Sequence, residues 1–481
     1  MIDRDLGWTG TVVVALALAI ASGCMVEDEA SDAAGAEQDL DADVAPAPAA
    51  PCDRTVAVAT TSALADAIAH ARAGDCIVAA SGSYRGTTIK VKGTADHPVV
   101  VRAAQRGRAT FTTALRLDGA SYVTVEGFAY TGDANVRIED SDHCRITRSR
   151  FRLDGGTFVT VTGTSDRTRI DHGDFGPLAS NGHLVAATGF STRTRIDHNH
   201  FHDVASAGGN GRETVMVGCC GATYDYHAAK HVVEHNLFES CDGENEMIGI
   251  KSSSNTVRHN TIRRSRGFIS LRAGRGNRIY GNYILGEGKA GTGGIRLFED
   301  DHVIYNNYVD SEDIPLAMTN GDPPGGGHAA IERVTVVFNT FVVHGAEVKI
   351  GGTGHTVPPS DSVFSNNLLY GDDKLIVERN PAGVTYRGNI AFRTRSGTIG
   401  VDKPAAQFRV VDPKMARAGA ILRPASSSPV ADAAAGVFAF VTDDVDGRDR
   451  DDRLDVGAFE TSSGAAARGP LTAADVGPDA P

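Results

Sequence analysis

Four short stretches of this 481-residue chain carry side chains that could act together. The first, GGNGRETVMVG, offers Asn210 and Glu213 beside a β-rich run, and the second, DGENEMIGIKS, sets Glu244 and Glu246 two residues apart with Lys251 five further on. On an extended strand, residues i and i+2 point to one face, so both carboxylates reach a single ion and the amide oxygen of Asn210 completes an oxygen-only ligand set. Such a set suits Ca2+. The third stretch, ISLRAGRG, holds Arg272, and the fourth, GGIRLFEDDH, holds Arg296. From Met247 to Gly286 there are eight basic residues and no acid, which reads as an anion-binding surface; the bland alternative is a solvated basic face.

These residues need a scaffold that fixes their spacing, and the chain shows one. A short β-rich run that ends in Asn and resumes with an apolar residue recurs as TRTRIDHNHF, HVVEHNLF, NTVRHNTI, NRIYGNYI, HVIYNNYV, VTVVFNTF and DSVFSNNLL. Its asparagines fall at Asn199, Asn236, Asn260, Asn282, Asn307, Asn339 and Asn367, so the shorter intervals are 22 to 25 residues. That period without helical patterning predicts an all-β fold, a right-handed parallel β-helix with one rung per repeat. The asparagines belong to turns, where a side-chain amide can bond its equivalent one rung away. Lys251, Arg272 and Arg296 lie 15, 12 and 14 residues after their preceding repeat asparagine, which predicts neighbouring rungs on one face.

The ends read differently. Val12 to Ala21 is an apolar run too short to span a bilayer, and it leads into Ala21-Ser22-Gly23-Cys24, a lipobox-like end, so residues 1–24 read as a lipoprotein-type signal. Residues 25–51 are Ala-, Pro- and acid-rich and read as a disordered tether. The chain is therefore expected to be exported, with membrane contact only through a lipid anchor at Cys24. The formal net charge of -13 is concentrated early: residues 51–481 hold 50 acids against 46 bases. The folded domain is expected over 52–460, opened by a helical cap through Leu64, Ile68 and Ala71, with a loose tail over 461–481. The acids of VTDDVDGRDRDDRLDVG read as turn chemistry, with calcium the competing reading. Export permits disulfides; Cys52 with Cys76, and Cys241 with Cys219 or Cys220, are the expected pairs, while zinc lacks its C-x-x-C spacing. Nucleic-acid motifs, a P-loop, a nucleophile elbow and H-E-x-x-H are absent.

With NGRET, GENEMIGIKS, LRAG and GGIRLFEDDH in that order, the chain resembles polysaccharide lyase family six, which includes alginate lyases and chondroitinase B. The likeness runs from about Val56 to Glu460 and takes in GDCIVAASGSY, GTADHPVVVRA and FNTFV. It implies calcium on Asn210, Glu244 and Glu246, with Glu213 in support, Lys251 as base, Arg272 as acid, and Arg296 binding an anionic polysaccharide; Arg275, in the same basic run, is expected to join Arg296. Lys251 must be neutral to take a proton, and Arg272, calcium and partial burial are expected to lower its pKa. The chain departs from the family in carrying Ala273 where a histidine often follows the arginine. The implied activity is calcium-assisted β-elimination on alginate. A chondroitin or dermatan sulfate lyase is the near alternative. A hydrolase using Glu299, Asp300 or Asp301 leaves Lys251 and Arg272 without a role, and a tethered β-helix that only binds polysaccharide is the reading from another class.

Overall fold

A computed structural model describes residues 52–219, 226–352, 354–380, 383–461 and 464–481. The signal-type segment, Cys24, the tether and Cys220 lie outside the described residues. The chain winds into a right-handed parallel β-helix with three long parallel sheets, of 14, 12 and 14 strands, each strand pairing with its equivalent one turn later. One rung shows the plan: Arg195–Asp197 in the first sheet, a tight turn, His200–Val204 in the next, then Val215–Val217 in the 12-stranded sheet.

Alternation explains why these segments stack. Ile146, Ile170, Ile196, Val233 and Val257 are registered partners in the first sheet, and all are buried. On another wall Tyr130, Phe151, Phe175 and Phe201 stack with ring centroids 4.4, 4.4 and 5.2 Å apart. Each such side chain contributes about 2–3 kcal/mol through removal from water.

The repeat asparagines form the expected ladder. Asn199, Asn236, Asn260, Asn282, Asn307, Asn339 and Asn367 are fully buried, and each donates its Nδ2 to the next rung's Oδ1 at 2.9–3.2 Å, ending on Asn389. The residue before each one turns with positive φ, for instance His198 at 53° and Asn306 at 51°. Two successive strands can leave that left-handed corner in different sheets.

The cap is helix Thr61–Ala69, whose N-cap Thr60 accepts from the Ala63 N–H at 3.2 Å and whose Leu64 and Ile68 close the open end of the stack. The acid-rich segment is turn structure: Asp444 accepts the N–H groups of Arg448 and Glu460, and Asp446 is held by Arg423 and Arg448. The tail is not loose. It lies along the solenoid, where Arg148 donates to the carbonyls of Pro478 and Ala480 and Leu471 donates to Thr261. Its own apolar content is low, so backbone hydrogen bonds to rung side chains hold it instead. Cys52 and Cys76 are disulfide-bonded as expected. Cys241 is not: its thiol is buried and free, pointing inward toward the Phe201 carbonyl at 3.5 Å, while Cys219 is disulfide-bonded without it.

Candidate active site

The 12-stranded sheet carries the predicted residues on consecutive strands: Val215–Val217, preceded by Glu213; Glu246–Lys251; Gly267–Ala273 with Arg272; and Thr292–Leu297 with Arg296. Gly249 pairs with Ser270 and Ser270 with Arg296, which fixes the outward column. Register shifts between Glu246 and Ile248, and between Ile250 and Lys251, bulge the strand at both ends of that segment. Bulges re-aim side chains, and here they flank the two residues that converge. Gly249 forms the floor: a Cβ there would lie 3.4 Å from Glu213, 3.6 Å from Glu246 and 3.7 Å from Lys251.

The side chains form one continuous ionic chain. Lys251 Nζ donates to Glu213 at 2.5 Å and lies 3.2 Å from Glu246. Arg296 crosses an intervening strand to donate to Glu246 at 2.7 Å, braced by its Nε on Ser270 Oγ at 3.1 Å. Arg272 Nε stands 3.7 Å from the same Glu246 oxygen. On the other flank His183, one strand earlier, lies 3.2 Å from Glu213.

Burial alone would lower the Lys251 pKa, but the hydrogen bond and charge of Glu213, joined by Glu246, outweigh it and hold the group above the usual lysine value. This corrects the expectation of a lowered lysine: its nearest charged partners are carboxylates, and Arg272 engages Glu246 instead. Burial likewise opposes ionisation of Glu213, yet Lys251 holds its carboxyl below the ordinary range. Burial pushes Glu244 up, and the charges of Glu213 and Glu246 push the same way.

Glu213, Glu244 and Glu246 each bring a carboxylate oxygen within 4.8 Å of the others. Among the described residues no basic side chain pairs with Glu244, whose carboxylate is held by backbone groups: Oε2 accepts the N–H of Arg212 at 3.0 Å, and the Gly211 backbone also hydrogen-bonds to it. A crowded, oxygen-only group with one unneutralised carboxylate fits a hard divalent cation such as Ca2+. Asn210 is exposed and lines, with Glu244, Asp242 and Phe268, a cleft of about 280 Å³ beside this group.

Arg275 is not brought into the cluster. It lies over the Tyr226 ring at 4.8 Å and faces Asp300 at 3.3 Å and Glu299 at 3.6 Å. Those two acids face Arg275, and Asp301 pairs with Arg333, so all three carboxylates of the turn are engaged by arginines. The sequence reading missed His183, Ser270 and Phe298. Aligning GHLVAAT beneath RETVMVG would have put His183 opposite Glu213, because Val185 pairs with Val215.

None of the curated proteins matches the sequence. The family model described as Chondroitinase B matches residues 58–400. Among solved structures, the PL6 family alginate lyase AlyGC is similar at 25% identity with a TM-score of 0.70, over 77% of this chain and 55% of that one. This chain thus spans about half the length of that relative. A mannuronic acid specific polysaccharide family 6 lyase from human gut microbiota shares the fold at 22% identity and TM-score 0.61, over 71% of this chain and 86% of that one. So does the PL6 family polysaccharide lyase Pedsa3628 from Pseudopedobacter saltans, at 21% identity and TM-score 0.62, over 74% and 96%.

Proposed function

The chain belongs to the chondroitinase B family, polysaccharide lyase family six, and from that premise we propose that it cleaves a uronate polymer, alginate first, by β-elimination. The observation that carries the reading is the ionic chain from Glu213 through Lys251 and Glu246 to Arg272 and Arg296 on one sheet face.

A uronate C5 proton is weakly acidic because the neighbouring carboxylate resists further negative charge. Elimination therefore needs a base at C5, a neutraliser for the carboxylate and a stabiliser for the leaving O4. Lys251 is the proposed base. Arg272 is the proposed partner of the leaving oxygen; an arginine keeps its proton, so it stabilises the developing charge while water delivers the proton. Arg296, fixed by Ser270 and Glu246, binds a sugar carboxylate.

Asn210, Glu244 and Glu246, with Glu213 beside them, are the residues that would hold Ca2+, and a bound ion would supply Lewis-acid neutralisation of the uronate carboxylate. Glu213 and Glu246 hold Lys251 as an ammonium here, so the lysine must lose that proton before it can take the C5 proton. The Cys52–Cys76 disulfide supports export, and Cys24 is the proposed lipid-anchor site.

The test is ultraviolet absorbance of the unsaturated product, with the protein given Ca2+ and, separately, alginate, its mannuronate and guluronate blocks, and dermatan sulfate. A rise is expected on alginate or one of its blocks, and Lys251→Ala should lower turnover by about 10³-fold while keeping substrate affinity. A rise on dermatan sulfate alone would transfer the activity to that polymer. No rise on any of them refutes the lyase reading.

A further inference from the structure

Beyond Arg272 the outward face continues into groups that the reading above leaves without a role. Phe298 follows strand Thr292–Leu297 and donates its N–H to the Leu271 carbonyl at 3.0 Å, so it stands one rung past Arg272. The guanidinium groups of Arg272 and Arg296 lie 5.7 and 5.6 Å from its ring. Against that ring, at 4.8 Å, packs the imidazole of His328, and His355 follows at 4.7 Å.

His328 does not arrive by accident of a floppy loop. The segment DPPGGGH closes on itself: Asp322 N–H donates to the His328 carbonyl at 2.6 Å, and His328 N–H donates to Asp322 Oδ2 at 3.0 Å. The other Asp322 oxygen is held by His355 Nδ1 at 2.6 Å, and the His355 carbonyl accepts from Asn320 at 3.0 Å. Two rungs therefore lock one imidazole in place. Its own Nδ1 stays 3.8 Å from Asp322, beyond hydrogen-bond reach, and among the described residues neither ring nitrogen makes a hydrogen bond. The side chain is 35% exposed.

Two imidazoles and a carboxylate are also a metal-type set, with ligand atoms within 4.8 Å. The neighbours decide against a dication there: Arg272 and Arg296 already place two positive charges on the adjoining ring, and like charge opposes a third. Burial and Arg272 likewise lower the His328 pKa and favour the neutral imidazole. A neutral donor beside two cations suits an anionic sugar.

We propose that His328 is a substrate-binding residue, hydrogen-bonding the sugar unit bound just past Arg296, with Asp322 and His355 as its positioning residues. The proposal rests on the polyuronate lyase reading, and its test separates the two. Wild type, His328→Ala and His328→Gln are compared for retardation in gels cast with alginate or dermatan sulfate, and for KM and kcat on whichever polymer is cleaved. Loss of one hydrogen bond predicts about tenfold weaker retardation and about tenfold higher KM in His328→Ala, with kcat within about twofold and an unchanged melting temperature. Glutamine, which keeps a donor near Nε2, should recover most of the loss. Unchanged retardation and KM in His328→Ala, or an equal loss in His328→Gln, overturns the proposal. Wild type that forms no unsaturated product yet loses retardation on His328→Ala would refute the lyase reading and leave this site standing.

Discussion

Replacing Asn282 with aspartate should loosen the stack beneath the site at neutral pH and spare it in acid. Asn282 is fully buried in the rung that leaves strand Gly267–Ala273, with Arg272, and leads to strand Thr292–Leu297, with Arg296. Its Nδ2 faces three acceptors, Asn307 Oδ1 and Val257 O at 2.9 Å and Tyr280 O at 3.0 Å. Its Oδ1 accepts the N–H and Nδ2 of Asn260, both at 3.0 Å. Aspartate keeps the second set and turns the first into oxygen against oxygen. When ionised it loses both donors, at about 1–3 kcal/mol for each unsatisfied partner, giving about 4 kcal/mol in a fold whose whole stability is about 5–15 kcal/mol. When protonated it regains one donor, and the cost falls to about 1–2 kcal/mol. The folded-state pKa of the new carboxyl is therefore raised, so stability is retained below the unfolded value near about 4 and is lost as pH rises through the folded value. Denaturant unfolding of both proteins at about pH 4 and about pH 7.5 measures this, and hydrogen exchange in the two flanking strands localises it. A difference that is the same at both pH values, or smaller than about 0.5 kcal/mol at each, refutes the reasoning.

Glu244→Gln should abolish most turnover, as should a chelator in the wild type, with melting temperature insensitive to Ca2+ in the variant but raised by it in the wild type; equal Ca2+ stabilisation of both would remove Glu244 from the metal site. Away from the site, burial works against the Asp174 carboxylate, but hydrogen bonds with His202 at 2.8 Å and Arg152 at 2.6 Å outweigh it and bring the pKa to about 2. Its contribution, about 2 kcal/mol, is present above the unfolded value near about 4 and lost as pH falls through about 2. Asp174→Asn should accordingly unfold more easily than wild type at about pH 6 and equally easily near about pH 2, by denaturant midpoint; a gap that persists in acid counts against the ion pair.

The rung plan was legible because one residue type marks it. A repeat asparagine, at intervals of 22 to 37 residues, places each turn, and counting from it puts Lys251, Arg272 and Arg296 on one face. What the count could not carry was direction and reach. Arg275 lies only three residues beyond Arg272, yet past the end of the strand it turns to Asp300 and Tyr226. Arg296 spans two strands to Glu246, so the arginine that looked like a plain substrate contact is also part of the carboxylate cluster. His183 comes from the rung before the motifs, where only an alignment of one rung against the next would have found it, and His328 comes from a loop beyond them that belongs to no spacing pattern. Cys241 was misread for a related reason: strand alternation points its sulfur into the core, whereas a pairing guess from sequence position ignores which way a side chain faces.

The charges of the site explain why its carboxylates and cations are arranged in that order. Glu213, Glu244 and Glu246 stand on the N-terminal side of the face, and Arg272 and Arg296 on the C-terminal side, with Lys251 between. As they stand, three carboxylates face three cations and the set is neutral. A base must give up its charge to work, and with Lys251 neutral the set carries one net negative charge; a uronate carboxylate arriving beside it makes two. In the proposed reaction a polyanion would then be repelled from Lys251, the proposed base. Two positive charges are what restores balance, and the only member of the set without a cationic side-chain partner among the described residues is Glu244. A monovalent ion leaves the balance half restored. The proposed site should therefore discriminate by charge: Na+ at ionic strength equal to an active Ca2+ buffer should leave turnover at the chelated level, and full activity in Na+ alone would show that the carboxylates are neutralised by the protein's own arginines.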